Sequence, residues 1–304
     1  MSLLRKCPGL FVPQRRPVHR RHETYTVQVI LSTTSFQPPA LWASLPGLLA
    51  ALGYLAVIAA PQAAWRQRVL LSAWALHGLA VAAHLSGIAE VGGGVRFGFA
   101  PVLSLTAWLV LAVYAVESRF VPMGSSRRGL AALGVLTVTL ALIFPGDDRP
   151  LASSPWAPLH WILGIASYAL FGAAVLHAAL LDRSEIALRK RRPGLDGQGP
   201  GIPLLQLEAL TFRFVAAGFV TLSLAVALGV WFTSPWRWDH KAVFSVLGWL
   251  VLGGLLAGRQ AFGWRGRRAT RWLYIGTGLL LLAYVGSRFV LEVLLHRGPG
   301  GGGA

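Results

Sequence analysis

The chain has 304 residues, 55% of them hydrophobic and only 13% charged, with a mean hydropathy of +0.58; soluble chains carry roughly 25% charged residues, so this is the composition of an integral membrane protein. Collagen-like, disordered and disulfide-scaffold classes are excluded, because the 35 glycines follow no three-residue period and Cys7 is the single cysteine. The net charge of +17 has to be read first as a topology signal, since Lys and Arg gather in the cytoplasmic loops of membrane proteins whatever their function.

Residues 1–40 hold six basic residues (Arg5, Lys6, Arg15, Arg16, Arg20, Arg21) and no apolar run of signal-peptide length. They read as a basic extension that is either a disordered arm or the product of a start placed too far upstream. A helix needs about 20 mostly apolar residues to cross roughly 30 Å of hydrocarbon. Eight segments meet or approach that, at 41–60, 69–90, 97–116, 129–144, 156–181, 207–232, 242–258 and 272–295. The fourth and seventh are short, and a re-entrant or interfacial segment is the alternative for each. Segment 182–206, with its R-K-R-R run and Pro193-Gly194, reads as a flexible cytoplasmic connector. Residues 296–304 are a Gly-rich tail. The loops after spans one, three, five and seven carry fifteen Lys or Arg, whereas the opposite side has five: Arg96, Arg149, Arg237, Lys241 and Arg297. The expected fold is therefore all-α, a polytopic transmembrane bundle of about eight spans with both termini extracytoplasmic. The basic surplus orients the chain and gives no reason to expect a nucleic-acid partner.

Against so few charges the histidines stand out: His77 and His84 in span two, His160 and His177 in span five, and His240 before span seven. Ionisable groups at membrane depth are costly and become functional candidates; the plainer reading of each is a neutral ring bonded to a neighbouring carbonyl. His84 and His160 fall near the outer surface in this topology. His177 lies about 25 Å farther down the same helix than His160. The outer loop Trp231 to Lys241 contains Trp236, Arg237, Trp238, Asp239, His240 and Lys241. Flat aromatics, an imidazole and cations would suit a haem edge, its iron and its propionates, although tryptophans also collect at membrane interfaces as anchors. Asp147 and Asp148 read as a solvated turn, Gly254 and Gly258 as a close-packing pair, and Arg288 as a side chain snorkelling from a helix end. Neither G-x-S-x-G, a P-loop nor H-E-x-x-H occurs, so no enzymatic set competes, and C-x-x-C-H for covalent haem attachment is absent too.

At Trp236-Arg237-Trp238-Asp239-His240-Lys241-Ala242 the chain resembles the tryptophan-rich WWD signature of the cytochrome c assembly family, the CcsA, ResC and CcmC haem-handling proteins, and more closely its YpjD/HemX-like branch. Further carriers of the likeness are Leu159-His160, Ala166-Ser167-Tyr168-Ala169, Leu205-Gln206-Leu207-Glu208, Gly263-Trp264-Arg265-Gly266-Arg267-Arg268 and Ala283-Tyr284-Val285-Gly286-Ser287-Arg288. The likeness covers about residues 41–295. It implies a multi-pass protein of the bacterial inner membrane, not itself an enzyme, that binds haem b non-covalently and takes part in c-type cytochrome maturation at the outer face. It further implies, as partners, haem, other maturation proteins of the membrane and apocytochrome c. His160 and His240 match the family's axial ligands to haem iron, with His77 in reserve. The alternatives are a membrane scaffold or regulator of haem biosynthesis that does not deliver haem and, further off, a transporter. The signature departs from W-G-x-x-W-x-W-D-P-K-E by the missing Gly, by His240 for Pro and by Ala242 for Glu, which bears on presentation of haem to an apocytochrome.

Overall fold

The structure is a computed structural model that describes residues 41–60, 64–86, 95–119, 126–149, 156–189, 204–232 and 238–294. The expected basic extension, most of the 182–206 connector, Trp236, Arg237 and the Gly-rich tail lie outside the described residues. Among the described residues eight long helices follow one another: α1 (Leu41–Ala59), α2 (Arg66–Leu85), α3 (Phe99–Glu117), α4 (Arg127–Ile143), α5 (Ala157–Arg189), α6 (Leu204–Phe232), α7 (His240–Phe262) and α8 (Gly266–Leu281). After α8 the chain continues through two π-helical turns, Leu282–Gly286 and Val290–Leu294, that flank one α-turn, Ser287–Phe289. Among the described residues one short antiparallel ribbon interrupts the helices. It pairs β1 (Val95–Phe97) with β2 (Asp147–Arg149), Arg96 opposite Asp148, so the Asp147-Asp148 pair expected in a turn lies in a strand.

Six of the helices, α2, α3, α5, α6, α7 and the run Gly266–Leu294, are long and apolar enough to cross a membrane by length and composition. Their outer faces carry the hydrophobicity. On α1, Leu45, Leu48, Leu49, Leu52 and Leu55 are exposed while Ala50, Tyr54 and Val57 are buried. That pattern is inverted relative to a water-facing helix and suits lipid as the solvent. The seventh helix, predicted at 17 residues, runs to 23 because its ends are capped beyond the apolar stretch. Asp239 accepts the Ala242 N–H at 2.8 Å, and Gly263, at φ 63°, supplies the left-handed residue that closes the other end.

Packing falls into two clusters that share α5 and α6. In the first, Ala50, Tyr54 and Val57 of α1 pack with Leu70 and Ala73 of α2, Val110 and Tyr114 of α3, and Leu130 and Val138 of α4. The second joins Phe171, Ala174 and Ala178 of α5 to Val215 and Leu222 of α6, Leu252 and Leu255 of α7, and Leu273 and Leu280 of α8. With lipid no less apolar than a core, helices associate through close fit and interhelical hydrogen bonds. Trp74 and Trp108 stack at 5.3 Å, and each indole N–H donates to the other's backbone carbonyl, at 3.2 and 3.0 Å. The Gly254/Gly258 pair does not supply a helix contact: a Cβ at Gly254 would meet nothing, and one at Gly258 would strike the Trp264 ring of the following turn. The tight α7–α8 approach lies instead at Gly248 and Gly276, where a Cβ would come within 2.8 Å of Leu280 and 2.6 Å of Leu252.

Candidate functional site

Between α5, α6, α7 and the π-helical end of the chain lies a cavity of about 460 Å³, touched on one side by Val102 of α3. Its deep walls are apolar, with Ile165, Leu222, Val226, Val246 and Leu280. Its polar groups are His160, Ser167, Tyr168, Asp239, Lys241, Ser245, Tyr284 and Arg288. A few polar groups set in an otherwise apolar concavity are the usual make-up of a small-molecule site. Below it, α6 and α7 are joined by the Trp249 indole donating to Ser223 Oγ at 2.8 Å and by the stacked Phe219 and Trp249 rings.

His160 sits near the start of α5, half-buried, with Nδ1 2.9 Å from the Ala225 carbonyl of α6. A carbonyl only accepts, so Nδ1 carries the proton and the neutral ring has its lone pair on Nε2. This is the arrangement by which a second partner orients a metal-ligating imidazole. Lys241 and Asp239 of the predicted Trp-rich loop line the same cavity. Trp238, Asp239, His240 and Lys241 are all exposed at the head of α7, but only Asp239 and Lys241 of the four are among the lining residues of the cavity.

The other histidines have different surroundings. His77 is fully buried, with Nδ1 3.2 Å from the Tyr54 hydroxyl and Nε2 2.8 Å from Ser104 Oγ. One ring nitrogen donates and the other accepts, so both are spent on α1 and α3. His84 donates from Nδ1 to the Ala80 carbonyl at 2.7 Å; with His77 it lines a small cavity of about 30 Å³. His177 donates from Nδ1 to the Ala173 carbonyl at 2.7 Å and stacks on Phe214. Its Nε2 lies 2.9 Å from Glu117 Oε2 at the end of α3, and one proton must lie between these two atoms, on the ring or on the acid. Among the described residues no three His, Cys, Asp or Glu gather as a metal cluster.

Sequence reasoning overlooked Tyr168, Tyr284 and Arg288 as site residues. Tyr168 donates its hydroxyl to the Leu280 carbonyl, at the point where the regular helix gives way to the first π turn. Widening to i→i+5 bonds unsettles carbonyl partners there, and the hydroxyl supplies one. The usable signal was the interval of four joining Leu280, Tyr284 and Arg288, which places them on one side of the chain's end.

A family model for cytochrome C assembly proteins matches residues 42–295. The chain is 27% identical over 243 residues to inner membrane protein YpjD of Escherichia coli (strain K12), covering 76% of this chain and 89% of that one. It is 34% identical over 210 residues to a 28.8 kDa protein from a nifR3-like 5' region of Azospirillum brasilense, covering 64% and 76%. To the cytochrome c biogenesis protein CcsA of Prochlorococcus marinus (strain MIT 9515) it is 28% identical over 192 residues, 53% of this chain and 61% of that one. No solved structure matches the chain.

Proposed function

Because the chain belongs to the cytochrome c assembly protein family, we propose that it handles haem, without turnover of its own, at the outer face of the bacterial inner membrane. It is a multi-pass membrane protein with a role in c-type cytochrome assembly. The observation that carries the haem reading is the cavity. Its volume and apolar walls suit a flat apolar ligand, His160 holds an oriented imidazole on its wall, and Lys241 and Arg288 bring cations to the same space. Bound non-covalently, haem b would supply an iron that takes two axial imidazoles.

In this reading His160 is the axial ligand from the cavity wall, and His240, one residue from two lining residues, is the second, from the exposed head of α7. Trp236 and Trp238 offer aromatic faces to the macrocycle, while Arg237 or Lys241 meets a propionate. His77 is the reserve ligand, disfavoured by the two hydrogen bonds it makes in the fold. All eight helices cross the membrane and both ends of the chain are outside, α1 and α4 being the short spans. Partner proteins of cytochrome maturation, apocytochrome c among them, would meet the α6–α7 loop.

Expression with haem precursor and purification in detergent tests this directly. A Soret band that is lost in His160→Ala and His240→Ala and kept in His177→Ala is expected. No Soret band in the wild type would replace this reading with that of a scaffold or regulator of haem biosynthesis. A reporter fused after Arg192 that proved extracytoplasmic would overturn the topology.

A further inference from the structure

Leu280, Tyr284 and Arg288 all line the large cavity, and Glu292 follows at the same interval of four. In a regular α-helix residues four apart drift by roughly 40° at each step, so over three steps such a row would wind out of the cavity. The π turn at Leu282–Gly286 is wider and offsets part of that drift between Leu280 and Arg288, as the turn at Val290–Leu294 does between Arg288 and Glu292. Arg288 is thereby kept on the cavity side, its side chain about one-fifth exposed and its guanidinium 3.9 Å from Glu292 Oε1.

Glu292 is itself held from elsewhere. Its Oε2 accepts the Phe99 N–H at 3.5 Å, at the first residue of α3, where the helix dipole favours a carboxylate. The neighbouring Gly98 leaves room for this: a Cβ there would come within 2.8 Å of Gly146 Cα and 3.1 Å of the Glu292 carboxylate. From another wall, the Lys241 ammonium stands 5.7 Å from the centre of the Tyr284 ring. Asp239, the one carboxylate among the described lining residues, gives Oδ1 to the cap of α7. Two cations on two separate elements, Lys241 exposed at the head of α7 and Arg288 partly buried, therefore border a largely apolar space, where charge interactions are stronger than in water.

We propose that Arg288, positioned by Glu292, and Lys241 select a flat apolar ligand carrying two carboxylates, one read by each cation, over the same ligand with its acids masked. The proposal rests on the haem reading and specifies the groups recognised, the two propionates. It makes Arg288 a specificity residue, not a side chain merely reaching for the membrane surface.

The test is a titration of the purified full chain in detergent with haem and with haem dimethyl ester, read by the Soret band. Wild type is expected to bind haem at least about tenfold more tightly than the diester. Arg288→Gln is expected to weaken haem by about ten- to a hundredfold and to leave the diester unchanged, with Arg288→Lys intermediate. Glu292→Gln should shift haem in the same direction by less. Equal affinity of wild type for the two ligands, or equal losses for both in Arg288→Gln, overturns the proposal while leaving haem binding intact. Wild type that binds neither ligand overturns the haem reading together with it. The wild-type comparison stands even if a variant fails to fold.

Discussion

Replacing Gly276 by alanine should loosen the seam that forms one wall of the cavity. The added Cβ would stand 2.6 Å from Leu252 Cγ, 2.8 Å from its Cδ2 and 3.2 Å from Val251 Cγ1, against an ordinary carbon contact of about 3.5–4.0 Å. Leu252 is fully buried, and the atom struck is its branch point, which only a χ1 change into the packed core would move, so α7 and α8 are expected to part by roughly 1 Å. Overpacking of this kind costs about 1–3 kcal/mol. A glycine-to-alanine change in a helix also returns up to about 1 kcal/mol. Gly278→Ala separates the two, because Gly278 lies two residues along the same helix with nothing within 4 Å of its added Cβ. The difference between the variants should therefore be the steric cost alone. Thermal unfolding in detergent should place Gly276→Ala well below wild type and Gly278→Ala at or above it. Coincident midpoints for the two variants would refute the reasoning.

Trp74→Phe and Trp108→Phe should each weaken the fold, and a double-mutant cycle should return a coupling of about 1 kcal/mol from the paired bonds and the stack; additive losses would count against the clasp. His77→Ala should destabilise by about 1–3 kcal/mol by orphaning the Tyr54 and Ser104 hydroxyls, yet keep its haem, as absorbance per protein would show; lost haem at full stability would make His77 the ligand instead. Glu117→Gln can donate to His177 Nε2 and should stay within about 1 kcal/mol of wild type, whereas Glu117→Ala leaves a buried nitrogen unmet and should cost about 1–3 kcal/mol; equal unfolding midpoints for the two would sink that account. Tyr168→Phe removes the donor at the Leu280 carbonyl and should raise amide exchange across 280–288, a region that stays protected if the π turn is held by packing alone.

The helices were legible in sequence because each apolar run is long and the charges between runs are few. All eight predicted segments overlap helices of the structure. Boundaries moved where caps outweighed hydropathy: Asp239 and Gly263 lengthened α7, and α5 ran on to Arg189, past Asp182, whose carboxylate accepts from Thr270 and Tyr274 of α8. In the candidate site, His160, Asp239 and Lys241 were readable because the first is an imidazole within an apolar helix and the other two are charges clustered in the Trp-rich motif. Arg288 was not, since a cation near a helix end ordinarily reaches for water. Its interval of four from Tyr284 and Leu280 sets it on their side of the chain, and the π turn at Leu282–Gly286, which no hydropathy pattern announces, helps keep it toward the cavity. Nor could the sequence tell His77 from a ligand, because its partners Tyr54 and Ser104 lie 23 and 27 residues away on other helices.

The bond from Phe99 to Glu292 spans 193 residues of chain, which sets an order on manufacture. Helices enter the membrane as they leave the ribosome, the N-terminal ones first. The first turn of α3 therefore waits, its backbone donor without its carboxylate, until almost the whole polypeptide has been made. A ribosome stalled or a gene truncated before codon 292 would leave α3 without this carboxylate at its first turn. Quality-control proteases that sample frayed helix ends would then find a mark of incompleteness far upstream of the missing residues.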